Sequence, residues 1–81
     1  MGRKTQLRLE GGIVLDVMEE DFEIVREDWN EYKLLDGGSI RVKTTVQRIF
    51  RPLDENGSPK RSPDGDPEVI VRHNAQIVAT D

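Results

Sequence analysis

The sequence predicts a small all-β domain, curled into a partly open barrel of about six or seven strands. Three observations predict it. Apolar residues alternate with polar ones in several runs, glycine pairs stand where those runs reverse, and 81 residues are too few for two ordinary domains. Hydrophobic and charged residues each make up 35% of the chain, so any core is thin. There is no cysteine, which excludes disulfides and thiolate metal sites and leaves stability to packing or assembly.

The first element is a hairpin. Thr5, Leu7 and Leu9 alternate with Gln6 and Arg8, and the pattern resumes at Ile13, Leu15 and Val17 after Glu10, Gly11 and Gly12. A glycine pair can adopt the positive φ angles that tight reversals need. A second hairpin follows the same rule, with EYKLL leading into Asp36, Gly37 and Gly38 and SIRVKTTVQRIFR beginning directly after them. Between the hairpins, residues 19–35 support two readings. Phe22, Val25, Trp29 and Tyr32 fall on one helical face, which allows a short helix within 19–31. Ile24 and Val25 favour strands instead, and EDWN reads as a turn, so the preferred assignment is two short strands near 22–26 and 31–36.

In the long strand after Gly38, Ile40, Val42, Val46 and Phe50 are expected to share one face. The pattern changes phase at Arg48 and Ile49, which predicts a bulge or sharp bend near Gln47 and Arg48. The last strand, within PEVIVRHNAQIVATD, carries Val69, Val71, Ala75, Ile77 and Ala79 on one face, with His73 among them. Between these strands runs DENGSPKRSPDGDP, residues 54–67, without one large apolar side chain. Neither flanking strand can bury its apolar face alone, so residues 1–81 read as one domain and 54–67 as a long polar loop inside it. Its Asn-Gly, Asp-Gly and proline residues give ordinary turn chemistry, and a mobile loop is expected.

Net charge is −4, unevenly spread: +3 over residues 1–9, −8 over 10–36 and +1 over 37–81. An acidic balance argues against indiscriminate nucleic-acid or membrane binding. The start of the chain has no apolar run of signal-peptide length, and no stretch is apolar for long enough to span a bilayer as a helix. A soluble, cytoplasmic protein is the expectation.

Each candidate site has a plainer explanation beside it. Arg41, Lys43, Thr45, Gln47 and Arg51 alternate along the long strand about 6 to 7 Å apart, near the phosphate spacing of a nucleic acid. Arg72 would add to such a contact, with Lys60 and Arg61 from the loop closing over the strand. The same stripe also suits a solvated sheet face whose cations discourage aggregation. Ser58-Pro59-Lys60-Arg61 resembles a proline-directed phosphorylation site and one unit of the SPKK-type repeats that touch DNA minor grooves, but four residues carry little specificity. An EF-hand reading from Asp54 fails, because Pro59 and Gly65 stand where glycine and glutamate are required. His73 lacks the partners that a ligand or general base needs and reads as structural. Trp29 and Tyr32, in the acidic context REDWNEY, are either a half-buried lid or an anchor for a protein partner.

The architecture expected is SH3-like or OB-like. The function expected is a non-catalytic protein-interaction or self-assembly module, with no cofactor and no metal. The alternative is a nucleic-acid-binding barrel using Arg41, Lys43, Arg51, Lys60, Arg61 and Arg72, and a small enzyme is a distant third.

Overall fold

The computed structural model describes residues 2–81, which form one antiparallel sheet. The strands are β1 (Arg3–Arg8), β2 (Val14–Glu20), β3 (Asn30–Lys33), β4 (Ser39–Pro52) and β5 (Ile70–Thr80). The all-β class is as expected. Among the described residues the sheet has five strands, where six or seven are expected, and it does not close: β1, β3 and β5 each keep an edge with no neighbour.

β4 is the organising strand. β5 lies along one edge of it from Ser39 to Phe50. The other edge is shared: β3 pairs with residues 39–42 and β2 with residues 49–52. β1 completes the sheet beyond β2, with Leu7 opposite Leu15 and Thr5 opposite Val17. Cross-strand polar pairs accompany that register, Arg3 Nη2 donating to Glu19 Oε1 at 3.2 Å and Gln6 Nε2 to Asp16 Oδ1 at 3.3 Å.

The reversals fall where the glycines stand. Leu9 N–H donates to the Ile13 carbonyl across a 3-10 turn over Glu10–Gly12, and Leu34 N–H donates to the Gly38 carbonyl. Gly38 is doubly constrained: its φ is +86°, and a Cβ there would meet the Thr80 carbonyl oxygen at 2.6 Å. No larger residue fits that junction between the second hairpin and the end of β5.

Residues 21–29 take neither of the expected forms. The helix within 19–31 is absent because β1 and β4 recruit residues as far as Glu20 into β2. The strand near 22–26 is absent: residues 21–29 pair with no strand, and Ile24 and Val25 lie in an irregular connection that bends at Val25. β3 is also shorter than expected, ending at Lys33.

The bulge is found where the phase change predicts it. Val46 faces His73 and Arg48 faces Arg72, so two β4 steps match one β5 step and Gln47 is the surplus residue. The expectation that Phe50 shares a face with Ile40, Val42 and Val46 is therefore overturned. Beyond Gln47 the side chains change sides, and Phe50 packs with Leu7 and Val17 instead. Leu15 and Ile70 border this small core.

The polar loop is built rather than loose. Asp54 N–H donates to the Ser58 carbonyl at 2.8 Å, and eight residues later Ser62 N–H does the same to Asp66 at 2.8 Å. Gly57 and Gly65 take positive φ at equivalent places, and their N–H groups donate to Asp54 and Ser62. Lys60 N–H reaches the Pro52 carbonyl, and Glu68 N–H reaches the Lys60 carbonyl. Side chains repeat the pattern, since Asp54 Oδ1 accepts from Ser58 N–H and Ser62 Oγ accepts from Asp66 N–H. The segment is thus two copies of one turn. Leu53, at its start, is buried.

Replacing Phe50, which is 2% exposed, by alanine is expected to cost about 3 to 5 kcal/mol, measured by urea unfolding. Leu35→Ala, at a fully exposed site, is expected to stay within about 0.5 kcal/mol.

Candidate interaction surface

Beyond the bulge, toward Gly38, β3, β4 and β5 form a ribbon with two unlike faces. Residues directly opposite in antiparallel strands share a side, so the registers assign each side chain to one face. On one side stand Tyr32 opposite Ile40, Ile40 opposite Ala79, Val42 opposite Ile77, Thr44 opposite Ala75 and Val46 opposite His73. Ile49 and Val71 continue this face past the bulge. On the other side stand Ser39, Arg41, Lys43 and Thr45 opposite Thr80, Val78, Gln76 and Asn74, with Arg48 opposite Arg72 farther on.

The apolar face has little cover. Residues 22–27 approach it near Val46 and Ile49, leaving an open cleft of about 350 Å³. Farther out, Ile77 is 68% exposed, Tyr32 is 53% exposed, and Ala75 and Ala79 are exposed. Every residue of β5 after Ile70 is exposed. His73 stands among these side chains at an exposed position rather than in a pocket.

On the polar face, Trp29 is half-buried beneath two cations. The Arg41 guanidinium lies 5.0 Å and the Lys43 ammonium 5.8 Å from its ring centroid. The cations are attracted by the negative face of the indole, and their aliphatic stems cover it. Trp29 is thus stacked within the chain against Arg41 and Lys43, while Tyr32, opposite Ile40, lies on the other face. Glu27 supports the approach of this segment by accepting a hydrogen bond from Val46 N–H at 3.4 Å.

The six candidate nucleic-acid contacts divide among three places. Arg41 and Lys43 share the polar face with Arg72, whose guanidinium lies 6.0 Å from the Phe50 ring. Arg51, turned over by the bulge, lies opposite Met18 and approaches Glu20 at 3.8 Å. The continuous stripe from Arg41 to Arg51 is therefore broken. Lys60 and Arg61 follow the far end of β4 in the double turn. Lys60 lines an open groove of about 530 Å³ with Asp16, Asp54 and Glu55, and Arg61 Nη1 donates to the Gly65 carbonyl at 2.8 Å. Sequence reasoning missed Arg48, which the bulge places on the polar face opposite Arg72. The signal was present in the phase change itself.

Among the described residues no three or more His, Asp or Glu side chains gather as a metal site, and no helix is long and apolar enough to cross a membrane.

Replacing both Arg41 and Lys43 by alanine is expected to shift the emission of Trp29, the single tryptophan, to the red as the ring meets water. The loss in stability is expected to be roughly 0.5 to 1 kcal/mol per cation, read from fluorescence-monitored unfolding.

No protein-family model, no curated protein and no solved structure matches this chain significantly.

Proposed function

We propose that this chain is a non-catalytic self-assembly module, in which the β4–β5 ribbon meets a second copy of itself. The observation that carries the reading is surplus surface. The chain exposes 6894 Å², against roughly 5,000 Å² for a compact monomer of its mass. Its radius of gyration is 17.6 Å, where a compact chain of this length has about 12 Å. The excess, near 1,900 Å², is more than the ~800 Å² that each partner contributes to a standard interface. Tyr32, Val71 and Ile77 on the apolar side of the ribbon are part of this exposed surface, and burial of such side chains is worth about 25 cal/mol per Å². The buried hydrophobic side chains of the described residues are Leu7, Val17, Phe50 and Leu53, a core too small to anchor the distal ribbon.

A second copy is favoured over a different protein by charge. The chain carries an acidic connection at 21–29 and cations on the polar face of the ribbon, so two copies can satisfy each other without an outside charge. The alternative, a nucleic-acid-binding sheet, is supported by Arg41, Lys43, Arg48 and Arg72 sharing one face. It is weakened by the only aromatic ring set among Arg41 and Lys43, which they cover, whereas single-strand binders leave rings free for base stacking.

Weight-average mass measured by sedimentation over a wide concentration range is expected to rise from monomer toward a defined oligomer. Ile77→Asp is expected to move that midpoint at least tenfold higher while circular dichroism is preserved, and Leu35→Asp to leave it in place. A mass constant at the monomer value refutes self-assembly. In titrations with single-stranded and duplex DNA and RNA at two salt concentrations, binding that weakens steeply with salt would favour the alternative.

A further inference from the structure

Three strands, β1, β3 and β5, keep a free edge among the described residues. A free edge offers unpaired N–H and C=O groups to any passing strand, and soluble proteins guard such edges with charge, proline or brevity. Two of these edges are guarded. β1 holds three cations, Arg3, Lys4 and Arg8, in six residues, and β3 is four residues long with Glu31 and Lys33. β5 is the exception. It runs for 11 residues without proline, glycine or lysine, and its ionisable side chains, Arg72 and His73, both lie near its start. From Asn74 to Thr80 it carries no charge at all.

We propose that β5 pairs antiparallel with β5 of a second copy about a two-fold axis at Ala75, joining two five-stranded sheets into one of ten strands; this rests on the self-assembly reading above. The register follows from the strand itself. Ala75 is the middle residue of Ile70–Thr80, and centring the pair there is the arrangement in which every residue of the strand finds a partner. Asn74 then faces the second copy's Gln76, His73 faces Ile77, Arg72 faces Val78 and Val71 faces Ala79. Amide meets amide near the axis, and each Arg72 meets an aliphatic side chain. The two Arg72 residues are six positions apart along the pair, about 20 Å, and beyond the reach of unscreened repulsion at physiological salt. Sliding the centre toward Arg72 brings like charges face to face, which destabilises a strand pair. Such an interface is isologous and closes on itself, so the most open edge is consumed without seeding a fibre.

The apolar faces of the two ribbons also become one. Val71, Ala75, Ile77 and Ala79 of each copy lie on the same side of the joined sheet, so the exposed band continues across the axis.

The absence of cysteine makes single-cysteine variants clean sites for spin labels. Chains labelled at Gln76, Val78 or Thr80 are expected to show label separations of about 7, 20 and 34 Å, twice the distance of each site from Ala75 at ~3.4 Å per residue. A label at Arg72 is expected to match the one at Val78. Separations with a minimum elsewhere, or with no dependence on position, overturn the edge pairing if sedimentation still shows an oligomer, and leave self-assembly standing. If sedimentation shows only monomer and no dipolar coupling appears, self-assembly and this interface fail together.

Discussion

Antiparallel strands keep their side chains in phase only while residues pair one to one. In β4 that condition lapses once, at Gln47, between the pairs Val46–His73 and Arg48–Arg72. Everything distinctive about the molecule follows from this surplus residue. Before it, the apolar side chains of β4 point to one side of the sheet; after it, Phe50 points to the other. The chain therefore cannot gather its hydrophobic residues into one core. Phe50 joins Leu7 and Val17 on the side closed by the first hairpin, while Ile40, Val42 and Val46 stand on the other side of a ribbon that none of the described residues fully covers.

Two leaves of unequal security result. The proximal leaf has a dry centre, with Val17 fully buried, cross-strand polar pairs and a hydrogen-bonded double turn. The distal leaf is held by backbone pairing, by the contact of Ser39 Oγ with Thr80 Oγ1 at 2.8 Å, and by Trp29 with its two cations. These are individually modest: a hydrogen bond contributes about 1 kcal/mol net and an exposed cation–π contact less. A ribbon so lightly held by its own chain is the part of the molecule with most to gain from a neighbour.

Much of the fold was legible in the amino-acid sequence because its signals are local. Glycine pairs mark both hairpins, and the odd position of Ile49 marks the bulge. The consequence of the bulge for Phe50 and Arg51 was harder to follow, since it reassigns every later side chain. Residues 22–26 misled because β-branched side chains favour a strand only where backbone pairing is actually made, and that is a long-range fact. The eight-residue echo in the polar loop is visible once the turns are known: Asp54 and Ser62, Asn56 and Asp64, Gly57 and Gly65, Pro59 and Pro67 occupy equivalent places. Differing side chains with similar hydrogen-bonding roles hid it. At the candidate surface, Arg41 and Lys43 were correctly set on one face. Their contact with Trp29 joins elements that no local pattern relates.

The single strand shared by the two leaves has an evolutionary corollary. Substitutions far apart and without common neighbours act nearly independently, and the distal side chains of β5 touch none of the proximal core. Selection can therefore rewrite the exposed side chains of the ribbon while the folding of the hairpin end stays as it was, so that the distal surface is free to diverge between descendants on an inherited, unchanged base.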